Sequence, residues 1–118
     1  MQVNYSVVGT NDMAVTTQFY DQLFGHSGVE RVSPADKMTY WLESDFAFVT
    51  AIPFGENPAT KCNENMVGFN VGLAEEVKRL HSLAIELGGT SEGAPNQRGP
   101  RLSAYVRDLD RNKIYLSA

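Results

Sequence analysis

With 118 residues, 42% hydrophobic and 20% charged, the chain has the size and composition of one globular domain with its own core. A formal charge of -4 and the lack of any Lys/Arg run argue against nucleic acid as a partner, because phosphate binding needs a clustered basic surface. Arg98, Arg101, Arg107 and Arg111 read as spread over a loop and a hairpin. No apolar run approaches the ~20 residues of a membrane helix, and Met1 to Val8 lacks the basic and apolar regions of a signal peptide. The lone Cys62 cannot form an intrachain disulfide. A cytoplasmic protein with no membrane partner is the expectation.

Gln2 to Val8 alternates as a strand, and Gly9-Thr10-Asn11-Asp12 supplies a turn with good helix N-caps. Met13, Thr16, Phe19, Tyr20 and Leu23 recur at helical spacing, with Gly25 as a left-handed cap. Strands are expected over Val29 to Val32, Met38 to Glu43 and Phe46 to Ile52, the last two closing as a hairpin over Glu43-Ser44-Asp45. Pro53 to Asn65, rich in Pro, Gly and polar residues, reads as a joining loop.

The order then repeats. Met66 to Val71 is a strand; Leu73, Val77, Leu80, Ala84 and Leu87 form an apolar helix stripe ended by Gly88-Gly89. Thr90 to Pro100 is Gly/Pro-rich with at most one short strand. Leu102 to Arg107 and Lys113 to Ser117 make a hairpin over Asp108 to Asn112, a turn and not a calcium loop, since Lys113 stands where such a loop needs glycine. Tyr5 and Met66 begin matching strands sixty-one positions apart, and Tyr40 and Tyr105 occupy matching strands sixty-five apart. The expected architecture is α+β: two tandem βαβββ modules, about 1–54 and 64–118, in one domain spanning 1–118. Their mixed sheet would curve around a trough, with helices on the outer face, and such troughs take small ligands.

Val8-Gly9-Thr10-Asn11-Asp12-Met13 followed by Phe19-Tyr20-Asp21, Gly88-Gly89-Thr90 with Glu92-Gly93-Ala94-Pro95, and above all Tyr105-Val106-Arg107-Asp108-Leu109-Asp110-Arg111-Asn112-Lys113-Ile114 resemble segments of the vicinal oxygen chelate superfamily. That superfamily holds glyoxalases, extradiol dioxygenases, fosfomycin-modifying enzymes and bleomycin-binding proteins. The resemblance implies paired βαβββ modules, a homodimer and, in the metal enzymes, His, His and Glu ligands on the strands. Tyr5, Met66 and Tyr115 stand at the matching positions, and the corresponding first-half strand offers Phe48 and Thr50. Thioether and phenol are poor ligands for zinc, iron, nickel or manganese, so no metal and no cofactor are expected. Arg111 replaces the family's hairpin glycine.

Tyr5, Phe48, Thr50, Met66 and Tyr115 are the ligand-binding candidates, with phenols as directional handles and rings to stack on a ligand. The same side chains could instead plug the trough. Trp41 reads as core, while His26 and His81 read as partly exposed surface histidines. Glu30, Glu43 and Asp45 could attract a cation but fit solvated hairpin positions better. No catalytic residue is assigned. The leading reading is a protein that binds a small aromatic or cationic molecule. The alternatives are a lyase or dioxygenase with a non-standard or metal-independent site, and a module whose trough is filled.

Overall fold

The computed structural model describes residues 3–25, 28–35, 37–52 and 66–118. His26, Cys62 and the expected loop from Pro53 to Asn65 lie outside the described residues. Contacts divide the chain into two units, Met1–Thr60 and Lys61–Ala118. Each has the order strand, helix and three strands: β1 (Tyr5–Gly9), α1 (Met13–Leu23), β2 (Glu30–Ala35), β3 (Met38–Glu43) and β4 (Phe46–Ala51), then β5 (Met66–Asn70), α2 (Ala74–Glu86), β6 (Thr90–Arg98), β7 (Arg101–Arg107) and β8 (Lys113–Ser117).

The first unit is a four-stranded mixed sheet in the order β1-β4-β3-β2, with β1 parallel to β4 and the other pairs antiparallel. Asp12 caps α1 by accepting the Val15 amide at 3.2 Å. The helix lays Thr16, Phe19, Tyr20 and Leu23 inward. Tyr20 packs at ring-centroid distances of 4.8 Å from Phe48, 5.5 Å from Trp41 and 5.5 Å from Phe24. Burying rings of this size supplies most of the core's apolar area. The Trp41 indole donates to Asp21 at 3.1 Å, so its one polar atom is satisfied inside the cluster. Gly25 is not among the glycines of positive φ; α1 ends at Phe24 with φ -92 instead.

The second unit repeats the sheet as β5-β8-β7-β6. Its core is aliphatic: Val77, Leu80 and Ala84 of α2, with Ala104, Val106, Ile114 and Leu116 of the sheet. Leu73 is the exposed N-cap of α2 and stands outside the buried stripe, while Glu75 and Glu76 favour the positive end of the helix. His81 is buried, not superficial; its Nε2 lies 2.9 Å from Ser91 Oγ. It is four residues after Val77, which turns it to the helix's inner face.

Two local features differ from expectation. Thr90 to Arg98 forms one nine-residue strand, although it contains Gly93 and Pro95. As the sheet's edge strand, β6 tolerates a proline, and its pairing with β7 shifts register on both sides of Gly93. In the β7–β8 turn, Arg111 adopts φ 69, the left-handed conformation that the family's glycine would take. Asp108 holds this turn by accepting the Asp110 and Asn112 amides at 2.9 and 2.8 Å.

Candidate functional site

Side chains alternate between the faces of a strand, so register decides which candidates share a surface. In the first unit, Thr39 and Thr50 hydroxyls donate to Met13 Sδ of α1 at 3.2 and 3.6 Å, and Phe48 and Trp41 join the Tyr20 cluster. Thr39, Trp41, Phe48 and Thr50 therefore line the helix-bearing face. Phe48 and Thr50 are 2% and 0% exposed. Tyr5 pairs with Ala47 and points the other way. Phe48 and Thr50 thus belong to the core against α1 and do not share a surface with Tyr5. The opposite face carries Tyr5, Val7, Val49, Tyr40 and Val32, with Val49 fully buried.

Met66 and Tyr115 of the second unit do share an open face. Met66 pairs with Lys113 and Gly68 with Tyr115, which stands opposite Tyr105, itself paired with Gly93. One row across the four strands therefore reads Gly68, Tyr115, Tyr105, Gly93. The two rings stack at 5.0 Å with an interplanar angle of 23°. A Cβ on Gly68 would come to 3.1 Å from the Tyr115 ring, and one on Gly93 to 3.1 Å from the Tyr105 ring. The absence of side chains on the outer strands gives each ring its space.

Polar and cationic groups surround the pair. Tyr115 Oη and Ser103 Oγ lie 2.9 Å apart. The Ser103 hydrogen bond is the main cause holding the Tyr115 phenol below the usual tyrosine range, against an opposing desolvation effect and helped by Ser117, Arg101 and Arg98. The Arg98 guanidinium lies 5.4 Å from the Tyr105 ring centre and the Lys113 ammonium 5.2 Å, within cation–π range. Arg107, by contrast, is buried, ion-paired with Glu92, and donates to the Arg111 carbonyl at 2.8 Å.

The sequence reading names Tyr115 and Met66, which the register puts on one face, and does not name Tyr105, Ser103, Arg98, Arg101 and Lys113 of that same face. The available signal was parity: Ser103 and Tyr105 are two apart, as are Lys113 and Tyr115. The donor set at the family's ligand positions does not fit a divalent ion: Tyr5 and Tyr115 offer phenols and Met66 a thioether. Among the described residues no three His, Cys, Asp or Glu side chains cluster as metal ligands.

No family model and no curated protein matches this sequence. Solved structures do. A glyoxalase/bleomycin resistance protein from Albidiferax ferrireducens is 32% identical, with a TM-score of 0.88 over 97% of this chain and 95% of that one. A glyoxalase-related enzyme from Fulvimarina pelagi has a TM-score of 0.83 at 19% identity, covering 99% of this chain and 87% of its own. A glyoxalase/bleomycin resistance protein/dioxygenase family enzyme from Burkholderia phytofirmans reaches 0.78 at 20% identity, covering 99% and 98%. The last two likenesses show the fold alone.

Proposed function

The chain belongs to the glyoxalase/bleomycin resistance family, and on that premise we propose that it binds a small aromatic molecule on the open face of its second unit, without a catalytic metal. The observation that carries this reading is the stacked Tyr105–Tyr115 pair seated over Gly93 and Gly68. Aromatic side chains are rigid, so a ring that joins such a stack orders few rotors on binding. The Tyr115 hydroxyl, tied to Ser103, adds a directional group at one edge. Phenol and thioether at the family's ligand positions support the metal-free part of the proposal.

Thermal unfolding of chelator-treated protein tests it. A bound aromatic ligand at one hundred times its dissociation constant adds about 2.7 kcal/mol, enough to raise the midpoint by several degrees. The expected result is a rise with naphthalene-sized aromatics and none with zinc, nickel, manganese or ferrous iron. A rise with one metal that a chelator abolishes would overturn the metal-free assignment. A second reading, an enzyme that moves a proton, is favoured by the lowered Tyr115 phenol, because perturbed titrating groups collect at reactive sites. Recovery of the ligand unchanged after prolonged incubation separates binding from turnover.

A further inference from the structure

We infer that the ligand is an aromatic carboxylate, whose ring extends the Tyr105–Tyr115 stack and whose anionic group is held in the field of the cations that flank it, Arg98 and Arg101 on one side of the tyrosine row and Lys113 on the other. This rests on the binding site proposed above and narrows its ligand to one charge class.

The argument is one of unmatched charge. The ion pairs among the described residues are Arg31 with Asp21, Arg79 with Glu76 and Arg107 with Glu92. None of them involves Arg98, Arg101 or Lys113. Glu92, the carboxylate beside Gly93 in β6, is engaged by the buried Arg107. Arg98 and Lys113 both lie within cation–π range of Tyr105. Arg101 stands opposite Arg98 in register, close enough for both fields to act on Tyr115. The whole chain carries a formal charge of -4, so a cationic surface here runs against the protein's balance.

A cationic ligand stacked on these rings would be repelled by all three side chains. A neutral one would gain nothing from their charge. A carboxylate gains a charge-assisted hydrogen bond from the cation it faces, stronger than a neutral one, and attraction from the others. Ser103 and Ser117 lie on the same face in the row next to the tyrosines, both buried, with Ser103 held to the Tyr115 hydroxyl.

Isothermal titration of the full chain with naphthoate, naphthamide and naphthylmethylamine isolates the charge, since the ring is constant. Naphthoate is expected to bind about tenfold tighter than the amide, with the amine weakest, and added salt should narrow the gap. Arg101→Gln combined with Lys113→Gln, which leaves only Arg98, should cut the acid-to-amide ratio about threefold or more, chiefly by weakening the acid. Lys78→Gln, on the exposed side of α2, should leave the ratio intact. Equal or tighter binding of amide or amine overturns the charge class alone, as does a ratio that survives the double substitution. Failure of all three probes to bind overturns the aromatic site and this inference with it.

Discussion

At the same place in their sheets, the first unit carries Val7, Val49, Tyr40 and Val32, and the second carries Gly68, Tyr115, Tyr105 and Gly93. Under their helices the contrast reverses. The first unit buries Phe19, Tyr20, Trp41 and Phe48, whereas the second buries Val77, Leu80, Val106, Ile114 and Leu116. One topology thus gathers its rings on opposite faces. Where aromatics fill the core, the matching row of the other face holds three valines and a single ring, Tyr40. Where aliphatics fill the core, the rings stand on the open face beside serine hydroxyls and cations. A repeated fold fixes where side chains point, and which face becomes a site depends on what stands at matching register positions.

The largest effect expected from breaking this contrast lies in the first core. Phe48→Ala should cost about 3–5 kcal/mol in urea unfolding, because it empties the centre of the Tyr20 cluster. The milder Phe48→Leu should leave naphthamide affinity unchanged, as befits a residue on the helix-bearing face. Importing the first unit's pattern into the second should instead damage binding. Gly68→Val places a side chain against the Tyr115 ring and should weaken naphthamide about tenfold in titration, or about 1.4 kcal/mol. Its unfolding free energy should move by less than that.

Smaller effects concern the second unit's own frame. Arg111→Gly should stabilise the protein by about 0.5–1 kcal/mol, since relief of a left-handed arginine outweighs the added freedom of the unfolded chain. Chemical denaturation of the two proteins measures it. Burial lowers the His81 pKa, so the unfolded state takes up a proton more readily than the folded one. The resulting stability is present above the ordinary histidine pKa and is lost as pH falls through the lowered folded value. Unfolding midpoints should therefore decline below neutrality, and His81→Gln, able to keep a hydrogen bond to Ser91, should flatten that decline.

Much of the fold could be read from the chain because its signals are local. The α1 stripe and its Asp12 cap, the Val77-Leu80-Ala84 stripe and the β7–β8 hairpin each sit within a dozen residues or so. The exceptions have physical causes. β4 is a central strand with apolar residues on both faces, Phe48 and Val49 alike, so its sequence carries no alternation from which to choose a face. From sequence, Phe48 and Thr50 therefore read as companions of Tyr5, from which the pleat separates them. β6 was obscured by Gly93 and Pro95, which an edge strand with shifted register accommodates. The tyrosine face depends on Gly68, Gly93, Tyr105 and Tyr115 meeting from four strands, and only the pairing register brings them together. His81, spaced four and three residues from Val77 and Ala84, could have been read as buried from that spacing.

The central claim is that a flat ligand engages the open face of the second unit, and tyrosine-selective carbon-labelled NMR tests it most directly. The chain has five tyrosines, of which Tyr105 and Tyr115 form the stack. On adding naphthoate to chelator-treated protein, the ring resonances of Tyr105 and Tyr115, assigned through Tyr→Phe variants, should shift together, while those of Tyr5, Tyr20 and Tyr40 hold still. Shifts confined to Tyr5 or Tyr40, or shifts that appear only after a divalent metal is restored, would contradict the account.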